Sequence, residues 1–190
     1  MDTFDNSDNS GKKQINITGQ SNRYQIKKLT QEKKGDKKRV EIEKLNLPIE
    51  YFTFEKQFEI INNINNINKE EVENDSKILI KQIEKKICSY KQQDIEKKVL
   101  NNEKIINLKY IIDKLIESKL NCYYCKCKMY ILYENVRESK QWTVDRINND
   151  LGHNIDNIVL ACLDCNLKRR CKSADKFLFT KQLNIIRQDN

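Results

Sequence analysis

Apolar side chains between residues 49 and 120 recur at the spacing of amphipathic helices. One stripe, at positions i, i+3, i+7 and i+10, consists of Ile80, Ile83, Ile87 and Tyr90. A second stripe consists of Ile105, Leu108, Ile112 and Leu115, broadened by Ile111 and Ile116. Lysine and glutamate fill the remaining faces, and the segment contains no glycine and no proline. This pattern predicts two or three helices joined by Asn-rich turns, and it indicates packing more than catalysis.

After residue 120 the helical period gives way to short runs of another kind. The run "QWTVDRI" (141–147) alternates between two faces and predicts a β-strand. The apolar run "NIVLAC" (157–162) predicts a second strand. The polar loop between them contains Gly152 and the one histidine of the chain, His153.

Two helices are predicted after the second strand. The first is basic and begins at Asn166, and Ser173 is a typical N-cap for the second. The second helix is predicted to pack back on the strands through an apolar stripe of Phe179, Leu183 and Ile186. The chain is therefore predicted to be an α+β protein that ends in a compact ββα unit.

The first 45 residues differ from the rest in having few large apolar side chains. They contain three of the four glycines and the basic run "KKGDKKR" (33–39), and the one proline, Pro48, follows them. This composition predicts a disordered basic tail. The predicted organisation is therefore a tail (1–45), a helical region (46–117) and a domain that carries the site (118–190).

The charge of the chain favours a polyanionic partner. With 36 Lys+Arg and 28 Asp+Glu, the formal net charge is +8. Residues 46–121 carry 13 acidic and 13 basic side chains, so the excess lies at the two ends, with a net charge of +4 in each. Nucleic acid is the expected partner. Part of the lysine excess is also what an AT-rich genome, which favours Ile, Asn and Lys codons, would encode.

The sequence predicts an intracellular protein. No apolar run approaches the roughly 20 residues that span a bilayer. The first residues, "MDTFDNSDNSGKK", are polar and acidic, unlike a secretory signal. Thiols stay reduced inside cells, so the seven cysteines favour metal ligation over disulfides.

Two Cys-x2-Cys knuckles are the strongest chemical signal in the sequence. Cys122 and Cys125 form the first, Cys162 and Cys165 form the second, and 36 residues separate the two pairs. Two such pairs supply the four thiolates of a tetrahedral zinc site, which is closed and therefore structural. Cys127 is an alternative to Cys125 as a ligand. Two further cysteines, Cys88 and Cys171, have no partner at ligand spacing and are expected to be plain thiols.

The residues from about 118 to 180 resemble the HNH endonuclease family, in its zinc-stapled ββα-metal form of treble-clef type. The resemblance is carried by Cys-x2-Cys, "WTVDRINN", "GH", "NIVLAC" and "CNLKR". The "DRI" and closing "CN" variants are similar to HNH proteins of phages and large DNA viruses. The resemblance implies a metal-dependent nuclease that hydrolyses phosphodiester bonds, with double-stranded DNA as the expected substrate, in the cytoplasm or nucleus of a host cell.

The family resemblance also implies residue roles. Asp145 on the first strand and Asn166 at the start of the helix would hold one Mg²⁺ or Mn²⁺, as oxygen donors that leave coordination positions open. Asn157 would hold the geometry of the loop by hydrogen bonds. Family members with well-understood chemistry have histidine directly after the aspartate, where this chain has Arg146. Arginine stays protonated and cannot act as a base, but it can hold a phosphate.

His153 is then the candidate general base. The alternatives are that it is a loop residue that contacts backbone or phosphate, that the water reacts without a protein base, or that the site is inactive. A basic cluster is predicted to bind the nucleic-acid backbone. It consists of Lys168, Arg169, Arg170 and Lys172.

Two other functions compete with the nuclease. A non-catalytic, zinc-containing nucleic-acid-binding module on the same scaffold is favoured by Arg146. A helical interaction adaptor built on residues 49–120 is the third hypothesis.

Overall fold

The computed structural model describes residues 19–20, 22–23, 26–27, 37–64 and 74–183. Contacts divide the chain into two units, Met1–Gly35 and Asp36–Asn190, and the helices and strands with defined bounds all belong to the second. Most of the predicted tail therefore lies outside the described residues. Its last part does not, since a short helix buries Ile42 and the Arg39 side chain donates a hydrogen bond of 2.9 Å to Gln82 Oε1.

The described chain combines helices with one small sheet, which is the predicted α+β class. The helices are α1 (Val40–Glu43), a 3₁₀ helix (Ile49–Phe52), α2 (Phe54–Ile64), α3 (Asn74–Glu96), α4 (Leu108–Glu117), α5 (Leu163–Arg169) and α6 (Ala174–Gln182). The strands are β1 (Trp142–Arg146) and β2 (Ile158–Cys162). Among the described helices, none combines the length and apolarity needed to cross a membrane.

The predicted helical stripes form the core of the second unit. In α3, Ile83 is fully buried, and Leu79 rather than Ile80 continues the buried face. Helix α4 begins at the N-cap Asn107, whose side chain accepts a hydrogen bond from the backbone N–H of Tyr110. Its buried face consists of Ile111, Ile112 and Leu115.

The two strands pair antiparallel, with Trp142 opposite Cys162 and Arg146 opposite Ile158. Trp142 is fully buried, as expected for the core of a small domain. Helix α3 covers the outer edge of β1, because the Val144 N–H donates to Tyr90 Oη (3.0 Å) and Lys86 Nζ donates to the Trp142 carbonyl. The exposed polar groups of an edge strand are thereby paired within the chain.

Each of the two C-terminal helices differs from its prediction in one respect: α5 in its first residue, and α6 in the face that is buried. Helix α5 begins at Leu163, three residues before Asn166, with Cys162 as its N-cap. Ser173 caps α6 as predicted, since its hydroxyl accepts from the Lys176 N–H. The predicted stripe on α6 is wrong: Phe179 and Leu183 are exposed, and Ile186 lies outside the described residues. Ala174 and Phe177 form the buried face instead.

Candidate functional site

The four knuckle cysteines come together in one cluster. The sulfurs of Cys122, Cys125, Cys162 and Cys165 all lie within 4.8 Å of one another, and Cys125 Sγ is 3.8 Å from Cys162 Sγ. A tetrahedral zinc site with Zn–S bonds of about 2.3 Å has S···S edges of about 3.8 Å. The cluster could therefore hold a metal ion such as zinc, and Cys127 is not part of it.

The chemistry of the donor set also fits a cation. Backbone N–H groups point at two of the sulfurs, from Cys162 to Cys122 Sγ (3.3 Å) and from Cys165 to Cys162 Sγ (3.4 Å). The hydrogen bond with Cys162 lowers the pKa of Cys122 to about 4, whereas burial and neighbouring thiols raise the pKa of Cys165 to about 12. Four thiolates cannot coexist at this distance without a positive charge, which a divalent metal would supply.

Asp145 is buried and fully engaged by other side chains. Arg169 binds it at two points, from Nε to Oδ2 (2.6 Å) and from Nη2 to Oδ1 (2.7 Å). The Tyr124 hydroxyl donates to Oδ2 at 2.7 Å. The carboxylate is thus neutralised by a guanidinium in a bidentate pair, which is the strongest geometry for such a contact.

Arg169 is itself buried, only 2% exposed, unlike the surface position that its predicted role in nucleic-acid binding assumes. Its remaining donors bond to the carbonyls of Arg146 and Lys172, both at 2.6 Å, and to Asn149 Oδ1 at 3.1 Å. These bonds connect β1, the following loop and the segment after α5. These bonds engage all three guanidinium nitrogens, and the buried side chain is therefore poorly placed to bind a phosphate.

The arrangement does not fit a divalent cation between Asp145 and Asn166. Such a cation would share the Asp145 carboxylate with the buried Arg169 charge, and like charges at this range repel strongly. Asn166 donates from its amide nitrogen to Thr143 Oγ1 (3.0 Å) and to the Val144 carbonyl (3.3 Å), so only its Oδ1 could bind a cation, and the misfit rests on Asp145. Mg²⁺ or Mn²⁺ at these residues stays a prediction, and no step proposed for this site depends on it.

His153 is bound by a carboxylate that the sequence did not indicate. Its Nδ1 lies 2.7 Å from Asp94 Oδ1, and its backbone N–H donates to Asp94 Oδ2 at 2.6 Å. Asp94 lies near the end of α3 and is fully buried. The Tyr90 ring packs on the imidazole, with 4.7 Å between ring centres. Because a carboxylate accepts the Nδ1 proton, the neutral ring leaves Nε2 as an acceptor.

Gly152 allows this close approach. A β-carbon at this position would lie 2.6 Å from the Val99 carbonyl oxygen and 2.8 Å from Asp94 Oδ2. The backbone therefore packs directly against the end of α3. Asn157 holds the other side of the loop: its side chain bonds the N–H and carbonyl of Asn148 (both 2.9 Å) and the Gly152 carbonyl (3.0 Å).

One surface cavity of about 410 Å³ joins most of the predicted site residues. Arg146, His153, Asn166 and Arg170 line it, together with Lys97 from the segment after α3. Arg146 is held in place by the carbonyls of Asn149 (3.1 Å) and Leu151 (3.0 Å). Asp145 also borders the cavity, but Arg169 neutralises it, so the balance of charge is positive. Such a cavity suits a phosphate group.

The burial of His153 lowers its pKa below the usual 6.5, against the opposing effect of the Asp94 carboxylate. Arg146 and Lys97 lower it further through their positive charges. The imidazole is consequently neutral at pH 7, the form that can accept a proton.

The rest of the predicted basic cluster lies at the surface. Arg170 and Lys172 are exposed, and Lys168 is exposed but forms a 2.8 Å ion pair with Asp164. Arg170 lines the cavity described above and also borders a shallow depression beside Lys168 and Lys172. A positive surface therefore extends outward from the cavity.

Comparison with known proteins gives one finding on relatedness. The chain is 41% identical, over 66 residues, to an uncharacterized protein of Acanthamoeba polyphaga mimivirus. The match covers 35% of this chain and 11% of that protein. No protein-family model matches the chain. No solved structure matches it either. The viral relative agrees with the viral character expected from the sequence.

Proposed function

We propose that this protein is a nuclease that cleaves phosphodiester bonds in nucleic acid. One observation carries the proposal: His153, oriented by Asp94, opens with Arg146 and Arg170 into the same positively charged cavity. A neutral imidazole beside guanidinium groups provides a base for the nucleophile and a positive environment for the charge that develops on phosphate.

In this proposal the cysteine cluster binds zinc in a structural role. Four sulfurs occupy all the tetrahedral positions, so the ion has no open site for water or substrate. It would join the loop after α4 to the end of β2 and the start of α5. The zinc thereby holds the ββα unit on which Arg146 and Asn166 are presented.

A non-catalytic nucleic-acid-binding module is the second candidate. The Asp145–Arg169 pair favours it, because the residue expected to hold the catalytic metal is engaged elsewhere. Exposed cations around the cavity would suffice for binding the backbone.

Cleavage and binding should be measured separately on the full-length, zinc-loaded chain. Supercoiled plasmid and labelled single-stranded RNA serve as substrates, with and without Mg²⁺ or Mn²⁺, and fluorescence anisotropy measures affinity. We expect His153→Gln to lose cleavage while it keeps affinity and zinc content. Lys77→Gln, an exposed change near the start of α3 and outside the cavity, is the control. Binding without cleavage by the wild type would favour the module, and neither binding nor cleavage would reject both functions.

A further inference from the structure

Among the described residues that line the cavity are an imidazole and several cations, and the one carboxylate, Asp145, is already paired. In a metal-dependent nuclease the bound cation helps to activate the attacking water and stabilises the charge that develops on the phosphate and the leaving oxygen. Here the Asp145 carboxylate is bound by Arg169 and Tyr124. His153 acting alone as a base accounts for about 10²–10⁴-fold of acceleration. A nucleophile that needs no metal must therefore come from elsewhere.

We infer that the substrate is RNA and that its own 2′-hydroxyl is the nucleophile. This inference rests on the proposed nuclease function and names the substrate of the same cavity. The 2′-hydroxyl is already positioned beside the phosphorus, and intramolecular placement of this kind corresponds to effective concentrations of about 10⁵–10⁸ M. DNA lacks this group, so a site without a metal has no comparable nucleophile for it.

Each partner in the reaction has a residue in the cavity. His153 Nε2 accepts the proton of the 2′-hydroxyl while the 2′-oxygen forms a bond to phosphorus. The bond from phosphorus to the 5′-oxygen breaks, and that oxygen takes a proton from water. The products are a 2′,3′-cyclic phosphate and a 5′-hydroxyl, and the imidazolium returns its proton to solvent. Arg146 and Arg170 stabilise the negative charge on the non-bridging oxygens.

The Asp94 carboxylate has a defined part in this step. It accepts the Nδ1 proton, which keeps Nε2 free, and it faces the imidazolium once the proton has moved. Asp94 is a positioning residue, since it contacts His153 and does not line the cavity. It lies on α3, outside the residues that carry the HNH resemblance, so the helical region supplies part of the site.

Three substrates of one sequence test the inference: single-stranded RNA, the same RNA with 2′-O-methyl groups, and DNA. The full-length protein is incubated with each in buffer freed of Mg²⁺ and Mn²⁺, and zinc content is measured afterwards. Mass spectrometry identifies the ends of the products. We expect RNA alone to be cleaved, to 2′,3′-cyclic phosphate ends. We also expect His153→Gln, purified in the same way, to lose at least about 100-fold in rate.

The outcomes separate this inference from the proposed function. Cleavage of DNA, or RNA products with 3′-hydroxyl and 5′-phosphate ends that require Mg²⁺, would overturn the RNA mechanism but keep the nuclease. Cleavage that His153→Gln leaves unchanged would reject His153 as the base, and with it both the RNA mechanism and the site on which the proposed function rests. No cleavage of any substrate by folded, zinc-loaded protein would also reject both.

Discussion

Asp94 determines which nitrogen of His153 carries the proton. One carboxylate oxygen binds Nδ1 and the other binds the backbone N–H of the same residue. Both partners are buried, so water does not replace these contacts. A carboxylate can only accept hydrogen bonds, whereas an amide in its place would present a donor to one of the two groups.

Asp94→Asn tests this control of the tautomer. If the amide nitrogen of the asparagine faced the backbone N–H of His153, two donors would meet and that N–H would lose its acceptor. If it faced Nδ1 instead, Nδ1 would have to accept, and the ring proton would move to Nε2. We expect cleavage to fall by at least about 100-fold, as for a base held in the wrong tautomer. Because the chain has one histidine, ¹⁵N NMR of the imidazole reports the tautomer directly. Asp156→Asn, which removes a carboxylate from an exposed pair with Lys104, should change neither measurement.

The pH dependence of cleavage should reflect the burial of His153. Since the pKa of His153 lies below 6.5 in the folded chain, the imidazole is mostly neutral at pH 7, and the fall in rate with decreasing pH should have its midpoint below 6.5. The unfolded chain binds a proton more readily, so this residue also destabilises the fold as pH falls below 6.5. An NMR titration of the single imidazole measures the pKa, and a midpoint above 6.5 would contradict the expectation.

The Asp145–Arg169 pair should behave as one structural unit. Asp145→Asn leaves a buried guanidinium without its counter-charge, which typically costs about 3–5 kcal/mol. Adding Arg169→Gln removes that charge, so the double variant should be more stable than Asp145→Asn alone. Urea unfolding of the zinc-loaded proteins measures both effects. Equal stabilities for Asp145→Asn and the double variant would contradict the expected cost of the unpaired guanidinium.

At the scale of elements, the contact between α3 and the loop from β1 to β2 assembles the site. Tyr90, Asp94 and the backbone near Val99 approach the segment that contains Gly152 and His153. The glycine has no β-carbon, and there is no space for one. Gly152 therefore lets the loop from β1 to β2 pack closely against the end of α3. This position of the loop in turn orients His153.

Gly152→Ala is expected to separate the loop from α3. The added methyl group would meet the Val99 carbonyl oxygen and the Asp94 carboxylate, which cannot both move without breaking the bonds to His153. We expect a loss of about 1–3 kcal/mol in the free energy of unfolding, as for overpacked sites, together with reduced cleavage. Thermal unfolding and cleavage rate measure the two losses. Leu151→Ala, at an exposed neighbour, should stay within about 0.5 kcal/mol of the wild type.

Local pattern in the sequence predicted the elements better than it predicted their contacts. The strands, the Ser173 cap and the knuckle cysteines follow from residue types within a few positions of each other. Asp94 carried no such signal, because 59 positions separate it from His153. The pattern of its own helix indicates only a position near the C-terminal end of that helix. Long-range placement of this kind depends on how helices pack, which the periodicity of one segment does not specify.

Arg169 shows the same limit for charge. Within "NLKRR" nothing distinguishes the buried arginine from its exposed neighbours, and all were predicted to bind phosphate. Its burial depends on a carboxylate 24 positions away in β1. Likewise, the buried face of α6 is set by where that helix meets Tyr124, against which Phe177 packs with 4.9 Å between ring centres.

At the scale of the whole molecule, the cysteine cluster lies where the helical region meets the segments that contain the strands. The first knuckle follows α4, at the end of the helical region, and the second joins β2 to α5. Asp94 belongs to the helical region, whereas Arg146, His153 and Asn166 belong to the region beyond it. A metal at the cluster would therefore join the segment after α4 to the junction of β2 and α5, on which Asn166 lies.

Removal of this metal should disrupt the site as a whole. Because Cys165→Ser removes one of the four thiolate ligands, we expect it to lower the zinc content well below the one ion per chain expected of the wild type and to abolish cleavage. Metal analysis, circular dichroism and cleavage rate measure the three consequences. Cys88→Ser, at an exposed thiol outside the cluster, should keep all three at wild-type values. The expectation would be contradicted if the Cys165→Ser protein stayed folded without zinc and still cleaved. The cysteines would then not form a structural zinc site.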